Sequence, residues 1–210
     1  MKRTITSIFI ALGVTMSWAQ SIKQQAATAE DYIPLFKDMG YEVYSFDISE
    51  LGKDSVTYGI QPIVKHYVCG KEEEFHNYGV VFTNKSKKEV YNKITVSFYP
   101  DTEGLPNKPN IEVKRMNFNL EGNSIGFPLI FEKQVDSDGK QNTLYQSRPF
   151  KLDNMKIGEF TPLVLYGSAW FDSEAGIFRF CGENEISPDM HEDIVKDIPE
   201  FYVIGVIIKK

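Results

Sequence analysis

The hydrophobic pattern first indicates a short helix between residues 28 and 40. Its apolar side chains recur at helical intervals, at Tyr32, Leu35, Phe36 and Met39. Thr28 and Asp31 have the spacing of a capping box at the start of the segment, and Gly40 is a suitable C-cap at its end. Because Pro34 limits the length of the segment, we predict a short N-terminal helix.

From Tyr41 onward, apolar and polar residues alternate in short runs, which is typical of β-strands. After residue 50, the predicted strands are Val56–Ile60, Pro62–Cys69, Phe75–Thr83, Val90–Tyr99, Ile111–Leu120, Ile125–Glu132, Thr143–Phe150, Pro162–Phe171, Ile177–Cys181 and Phe201–Ile208. Residues 84–88 are polar and predict a hairpin between two of these runs. A slip in the alternation near Lys114 predicts a β-bulge. The last strand is apolar on both sides, so we expect both of its faces to be covered.

Many short strands separated by turn signals, without alternating long helices, predict a mostly β protein. The expected architecture is a two-sheet β-sandwich, either immunoglobulin-like or jelly-roll-like. Ser187 and Pro188 predict the start of a second short helix, which Pro199 ends before the last strand. The sequence contains no internal repeat or linker, so residues 29–210 are expected to form a single domain after a flexible leader at residues 20–28.

The first 19 residues have the three parts of a secretory signal. Lys2 and Arg3 give a positive start, and a mainly apolar stretch of 12 residues runs from Ile5 to Met16. Ser17-Trp18-Ala19 then supplies small residues at the positions that a signal peptidase reads. An uncleaved membrane anchor is the alternative, but a spanning helix needs about 20 apolar residues. We therefore expect cleavage before Gln20.

Cleavage changes the charge and the expected compartment of the chain. Removing 19 of 210 residues leaves 191, and the loss of Lys2 and Arg3 changes the net charge from −6 to −8. This charge argues against a nucleic-acid partner, which requires clustered positive charge. The first cysteine is Cys69, so no lipid-anchor cysteine follows the signal, and no second apolar run is long enough for a membrane span. We expect a soluble periplasmic or secreted protein that is not a lipoprotein.

Cys69 and Cys181 are the only cysteines. In an oxidising compartment such a pair predicts a disulfide, and two buried free thiols are the alternative. Both cysteines are followed by glycine and then by acidic residues, so a disulfide would bring together the carboxylates of Glu72, Glu73, Glu74, Glu183 and Glu185. Carboxylates grouped in this way suit calcium, and a solvated acidic rim is the alternative. No other cofactor is expected.

One predicted hairpin offers a candidate ligand surface. With a turn at residues 173–176, Trp170 lies opposite Arg179. Tyr166 and Trp170 then share the face that points away from the expected core. There they would form an aromatic platform for a sugar or a peptide, with Arg179 stacked on the indole. The alternative is that the N-terminal helix or a second layer of strands covers this face.

Two runs of the sequence carry a resemblance to a known group of proteins. They extend from Tyr78 to Val90 and from Ile94 to Asp101, and they follow a signal that ends in Ala19-Gln20. These features resemble small exported β-sandwich proteins of Gram-negative gut bacteria, many of which are grouped only as domains of unknown function. The resemblance implies export and a sandwich fold, and it assigns no site residues.

Motifs for catalysis are weak in this sequence. It lacks a Gly-x-Ser-x-Gly nucleophile motif, and its three histidines lack the spacing of a zinc site. We therefore expect a non-catalytic binding or interaction module of the cell envelope, with a protein or a glycan as its ligand. One alternative is an envelope hydrolase that acts on glycans, which requires a deep pocket with convergent carboxylates. Another is a structural subunit, which requires an exposed edge strand such as Phe201–Ile208.

Overall fold

The computed structural model describes residues 26–52, 57–77, 79, 82–83, 92–101, 108–120, 122–152 and 155–210. The predicted signal at residues 1–19 and the predicted turn at residues 84–88 lie outside the described residues, as does most of the leader at 20–28. The helices are α1 (Ala29–Asp38) and α2 (Asp193–Asp197), with a short 3₁₀ helix at Ser49–Gly52. Neither α-helix is long and apolar enough to cross a membrane, among the residues just given.

The strands that the structure describes are β1 (Glu42–Asp47), β2 (Gly59–Val68), β3 (Lys71–Asn77), β4 (Phe82–Thr83), β5 (Lys93–Pro100), β6 (Ile111–Leu120), β7 (Asn123–Glu132), β8 (Tyr145–Pro149), β9 (Phe160–Ser168), β10 (Trp170–Asp172), β11 (Ile177–Arg179) and β12 (Glu200–Lys209). Sheet A has the order β1-β5-β6-β7. Sheet B has the order β3-β2-β12-β9-β8, with β4 also paired to β2, and β10 and β11 form a separate hairpin. All of these pairs are antiparallel.

Two apolar clusters hold the fold together. The main core lies between the sheets, where Phe98 and Phe131 of sheet A meet Tyr166 and Ile204 of sheet B. A second cluster covers the other face of sheet B with the segment that contains α2. These clusters confirm the predicted mostly β, two-sheet sandwich with one short helix near the N-terminus and another before the last strand.

The last strand lies inside sheet B. β12 pairs with β2 on one side and with β9 on the other, and nearly all of its residues are buried. This confirms that both of its faces are covered. The expectation that Phe201–Ile208 offers an exposed edge to another chain is wrong, because both edges of this strand are already paired.

The predicted start of the second helix is also wrong. Ser187 and Pro188 lie in a turn, and α2 begins five residues after Pro188, at Asp193, with Glu192 as its N-cap. The Ser187 N–H donates to the Glu192 carboxylate at 2.7 Å, so a local side-chain contact fixes this segment in a non-helical conformation. Met190 has a φ of +54°, a left-handed conformation that a continuous helix does not contain. Ile198 ends α2 before Pro199, as the sequence predicts.

Two further strand predictions need correction. β6 pairs with β5 and β7 in continuous register, so no bulge lies at Lys114. The alternation slips because Lys114 occupies an inward position at the end of the core, where its ammonium lies 4.9 Å from the Tyr145 ring and 2.9 Å from Glu112. β4 belongs to sheet B and β5 to sheet A, so these strands do not form the hairpin predicted around residues 84–88.

Two side chains at the start of β12 form hydrogen bonds with the backbone of β7, an edge strand of sheet A. The Tyr202 hydroxyl donates to the Ile130 carbonyl at 2.7 Å and accepts from the Ile130 N–H at 3.2 Å. The Glu200 carboxylate accepts from the Glu132 N–H at 2.9 Å and also contacts His66 Nε2 at 2.9 Å. β7 is an edge strand, and sheet B therefore satisfies part of its backbone through side chains.

Tyr202→Phe is expected to lower the free energy of unfolding by about 1 to 2 kcal/mol, because the ring still packs while both backbone groups of Ile130 lose their partner. Urea unfolding followed by circular dichroism measures the effect. Tyr32→Phe is the matched control, since Tyr32 is 47% exposed and lies on α1. An unfolding free energy for Tyr202→Phe equal to that of the control would contradict the role of this hydroxyl.

Candidate functional site

Helix α1 ends in a Schellman motif that fixes its direction relative to β1. The Tyr41 N–H donates to the Phe36 carbonyl at 2.9 Å, and the Gly40 N–H donates to the Lys37 carbonyl at 2.9 Å. Gly40 has a φ of +81°, a conformation that strains any residue with a Cβ. The rings of Phe36 and Tyr41 meet edge to face at 6.1 Å, which is the apolar contact that often accompanies this motif. Gly40 therefore terminates the helix, as predicted.

The start of α1 and the turn after it are also fixed. The Asp31 carboxylate accepts from the Thr28 N–H at 2.6 Å and from the Thr28 hydroxyl at 3.0 Å, which confirms the capping box. These hydrogen bonds hold the pKa of Asp31 below its usual value. After the helix, the Tyr41 ring stacks on Tyr99 of β5, with the ring centroids 6.3 Å apart. Tyr41 therefore attaches the end of α1 to sheet A.

The apolar side chains of α1 point away from the core. Their exposed fractions run from 47% for Tyr32 to 61% for Ile33, and no residue of the helix is buried. Met39, the C-cap residue, is also 61% exposed. Tyr41 and Val43, which follow the helix, are also exposed. We call this patch the α1–β1 surface, and its members are Tyr32, Ile33, Leu35, Phe36, Met39, Tyr41 and Val43.

This exposure is unusual for a helix of ten residues. An isolated helix of that length is marginal in water, because nucleating the first turn costs more than a short ladder of hydrogen bonds regains. Most protein helices are stabilised by burial of one apolar face, and α1 has such a face but does not bury it. Large exposed apolar patches commonly mark places where another molecule binds. The α1–β1 surface is therefore the best candidate for a binding site in the described part of the chain.

A groove of about 580 Å³ lies within this surface, between α1 and β1. Ile33 and Phe36 of the helix and Val43 of the strand give it apolar walls. Lys37 and Glu42 also line it, so that the groove carries one charge of each sign. This combination suits an apolar partner with a charged margin.

A chain of hydrogen bonds fixes the position of β1, the strand that forms one wall of the groove. The Tyr44 hydroxyl lies 2.8 Å from Ser147 Oγ, and the Ser147 hydroxyl donates to the Glu42 carboxylate. Because an ionised carboxylate only accepts, Ser147 donates to Glu42 and Tyr44 donates to Ser147. Burial raises the pKa of Tyr44, which keeps its hydroxyl protonated as a donor. The chain joins β1, at the edge of sheet A, to β8, at the edge of sheet B.

The predicted aromatic platform is not assembled. Trp170 and Arg179 are opposite each other in the β10–β11 hairpin, as the register predicts. Tyr166, however, is 3% exposed and stacks on Phe98 in the main core, with the ring centroids 4.5 Å apart. Arg179 forms an ion pair with Asp172, with 2.9 Å between Nη1 and Oδ2. The face that carries Tyr166 is covered by sheet A, which is one of the two alternatives to a platform.

Trp170 itself is half-buried and packs on the second cluster. Its ring lies 6.3 Å from that of Phe180. The sequence pattern treats residues 162–171 as one strand with a constant alternation. In the structure β9 ends at Ser168 and Trp170 begins β10, so Tyr166 and Trp170 belong to different sheets.

No disulfide joins the two cysteines, which corrects that prediction. Cys69 and Cys181 are both free and exposed, so the alternative of buried thiols does not hold either. Cys69 and Gly70 have positive φ values, +48° and +74°, and form the tight turn between β2 and β3. The Cys69 N–H donates to the Pro199 carbonyl at 2.7 Å. The cysteine thus lies in a constrained hairpin turn whose backbone is held by the segment before β12.

The five carboxylates considered for calcium do not converge. Among the described residues, which include all five, no group of three or more acidic, histidine or cysteine side chains is placed to hold a metal ion. Glu72 accepts from Lys65 Nζ at 2.9 Å and from the Tyr67 hydroxyl at 3.0 Å. The hydrogen bond from Lys65 lowers the pKa of Glu72. Because Cys69 and Cys181 are both free, no disulfide brings these carboxylates together in the described part of the chain.

The sequence predicts α1 but not the exposure of its apolar face. Amphipathic periodicity reports which residues share a face, and it is the same whether the chain itself or a partner covers that face. The contact of Ser147 with Glu42 and Tyr44 was also missed, since about a hundred residues separate them. The sequence offers one indication of this contact. Glu42 shares the inward face of β1 with Tyr44 and Phe46, and a carboxylate on that face needs a polar partner.

Comparison with known proteins places the chain in a family without assigning a role to any residue. The family model described as Domain of unknown function (DUF5041) matches residues 12–210. No curated protein and no solved structure matches the chain. The family match extends over both sheets and over the α1–β1 surface, and the chain therefore belongs to the DUF5041 family.

Proposed function

We propose that this chain is an exported, non-catalytic interaction module of the cell envelope that binds a protein through the α1–β1 surface. The observation that supports this function is that α1 exposes its whole apolar face and buries no residue. Export is supported by the charge and apolar pattern of residues 1–19. A partner that covers α1 would supply the burial that stabilises most protein helices.

The composition of the α1–β1 surface favours a protein over a glycan. Tyrosine, phenylalanine and methionine are enriched at the centre of protein interfaces, and all three occur here. A sugar site combines aromatic faces with several convergent hydrogen-bonding groups, whereas Tyr32 and Tyr41 carry the only side-chain hydroxyls among the seven members of this surface. The burial of Tyr166 also removes the aromatic platform that was expected to bind a sugar or a peptide, so no ligand site remains there.

The described carboxyl groups with a clear pKa shift do not include a candidate general acid for glycan hydrolysis. A hydrolase with two carboxyl groups keeps one of them protonated by raising its pKa. In the described part of the chain, the carboxyl groups with a clear pKa shift are Asp31, Glu72, Asp172, Asp189, Glu192 and Asp193. Each of these pKa values is lowered, which is the direction opposite to that of a general acid.

Site-specific photo-crosslinking in producing cells tests this function. A benzophenone amino acid is placed at Phe36, which is 53% exposed on the α1–β1 surface. The control position is Ile177, which is 52% exposed on the β10–β11 hairpin. We expect a crosslinked protein product of defined mass from position 36 and none from position 177. Illumination that gives no product at position 36, or the same product at both positions, contradicts the function.

A further inference from the structure

We propose that the protein partner pairs with β1 as an added strand, through an extended basic segment that carries apolar residues at alternate positions. The segment would lengthen sheet A at its β1 edge, beside α1. This inference rests on the proposed function, because it names the chemistry of the partner that the α1–β1 surface binds. Exposed sheet edges commonly bind extended segments, since backbone hydrogen bonds give affinity and contacts with alternate side chains give specificity.

The hydrogen bonds of β1 leave one row of its backbone groups facing away from sheet A. β1 is the first strand in the order β1-β5-β6-β7. The Ile48 N–H donates to the Asn92 carbonyl at 2.8 Å, and this pair continues the register of β1 with β5. Because antiparallel bonds alternate along a strand, the even-numbered residues of β1 bond to β5 and the odd-numbered residues face outward. Val43 and Ser45 therefore face outward, and none of the described residues forms a hydrogen bond with their N–H or carbonyl groups.

The groove of the α1–β1 surface runs along this edge. Four consecutive residues line it, from Tyr41 to Tyr44. Side chains alternate between the two faces of a strand, so a groove that contacts four in succession lies beside the strand and not over one face. Ile33 and Phe36 of α1 form the opposite wall. A strand added about 4.8 Å from β1 would contact this wall with every second side chain, which favours apolar residues at those positions.

The edges of β3, β7 and β8 are protected against such pairing. On β7, two side chains of β12 bond to the outward backbone groups. On β8, Arg148 donates to the Ser147 carbonyl at 2.9 Å. The Ile186 N–H donates to the Pro149 carbonyl of the same strand, also at 2.9 Å. β3 carries four successive charged residues at positions 71–74, which discourage pairing with another chain. The centre of β1 has none of these features among the described residues, which marks it as an edge open to a partner.

The charges around the groove indicate that the added segment is basic. Acidic side chains outnumber basic ones on α1 and at the start of β1, where the acids are Glu30, Asp31, Asp38 and Glu42 and the base is Lys37. The hydrogen bonds of Asp31 and Glu42 come from hydroxyl groups and a backbone N–H, which leave the negative charges uncompensated. A positively charged segment complements this margin. A second copy of the chain would bring an equally acidic margin, which opposes pairing of β1 with itself.

Two seven-residue probe peptides test the inference, one alternating valine with lysine and the other alternating valine with glutamate. Fluorescence anisotropy measures their binding to the purified protein. We expect the lysine peptide to bind at least about tenfold more tightly, because it alone complements the acidic margin. Asp38→Lys should weaken this binding by about three- to tenfold. Glu174→Lys makes the same charge change on the exposed turn of the β10–β11 hairpin, so this matched control should leave binding unchanged.

Val43→Pro tests the backbone pairing itself. The substitution removes an outward N–H and puts a ring in the path of the added strand, so the lysine peptide should bind at least about tenfold more weakly. The hydrogen bonds between β1 and β5 remain, and Val43 is 65% exposed, so near-ultraviolet circular dichroism should be unchanged. Val43→Thr keeps both the N–H and the β-branched shape, and this control should bind within about twofold of the wild type.

Amide hydrogen exchange, followed by NMR, gives a readout on the wild type that needs no variant. The lysine peptide should slow exchange at the N–H groups of Val43 and Ser45 by at least about tenfold. It should change exchange far less at Tyr44 and Phe46, whose N–H groups already bond to β5. A lysine peptide that does not bind, or that binds without slowing exchange at Val43 and Ser45, overturns the inference, as does equal binding of the two peptides.

Photo-crosslinking separates failure of this inference from failure of the proposed function. A protein product from position 36 should disappear in the Val43→Pro variant and remain in Val43→Thr. If the product persists in Val43→Pro, the partner covers α1 without pairing with β1, and the inference is overturned while the proposed function stands. A product with twice the mass of the chain identifies a second copy as the partner and has the same consequence.

Discussion

Replacing Gly205 by alanine is expected to lower the free energy of unfolding by at least about 3 kcal/mol, the upper part of the range for overpacked cores. Gly205 lies in the middle of β12, where the pairing with β9 shifts register between Ile204 and Gly205. A Cβ on this glycine would collide with the Thr161 carbonyl oxygen and would lie 2.5 Å from the Phe160 ring. A backbone oxygen in a paired strand cannot move aside without breaking hydrogen bonds between β9 and β12. The steric clash therefore directly lowers the stability of the folded state.

Gly126→Ala is the matched control for this substitution. Gly126 also lies in a β-strand, but it is exposed on edge strand β7, and a Cβ there would meet only the Met116 carbonyl oxygen, at 3.9 Å. We expect the control to change the unfolding free energy by no more than about 0.5 kcal/mol. Thermal and urea unfolding of both variants gives the comparison. If Gly205→Ala is as stable as Gly126→Ala, the close packing of β12 against β9 is contradicted.

Phe131→Ala is expected to cost about 3 to 5 kcal/mol, the usual range for removing a buried phenylalanine. Phe131 is fully buried and lies against three tyrosines from sheet B, with ring centroids 5.0 Å away for Tyr145, 6.0 Å for Tyr166 and 5.1 Å for Tyr202. Its loss leaves a cavity between the sheets and removes three aromatic contacts at once. The effect should therefore exceed that of Tyr202→Phe, which removes only a hydroxyl.

The neighbouring residue provides the control for this prediction. Ile130 precedes Phe131 on β7 and is 45% exposed, so Ile130→Ala removes a side chain of similar chemistry from the opposite face of the same strand. We expect Ile130→Ala to cost less than about 1 kcal/mol. Urea unfolding measures both variants under one set of conditions. If the two substitutions lower the unfolding free energy equally, Phe131 does not lie in the inter-sheet core, which contradicts the structure.

The sandwich itself could be predicted because short-range patterns determine it. Alternation at Ile94, Val96 and Phe98 marks one strand, and the short apolar run Phe201–Ile208 marks another. The turn at residues 173–176 sets the register of Trp170 against Arg179. The capping box at Thr28 and the glycine at position 40 likewise fix both ends of α1 from local chemistry. Each of these features depends on residues a few positions apart.

The candidate site was harder to predict because it depends on which faces of the helices and sheets contact each other in the folded chain. Tyr166 and Trp170 share a face in a continuous strand, and the break after Ser168 puts them in different sheets. The same limit applies to Cys69 and Cys181, since spacing along the chain does not give the direction of either side chain. Exposure of the apolar face of α1 is a long-range property too, and it carries the function proposed here.

Photo-crosslinking from position 36 is the decisive experiment on the α1–β1 surface, because it reports on this surface in the cell and gives the mass of the bound partner. We expect one crosslinked protein product of defined mass from position 36 and no product from position 177. Absence of any product from position 36, in cells that contain the folded protein, would contradict the claim that a protein covers α1.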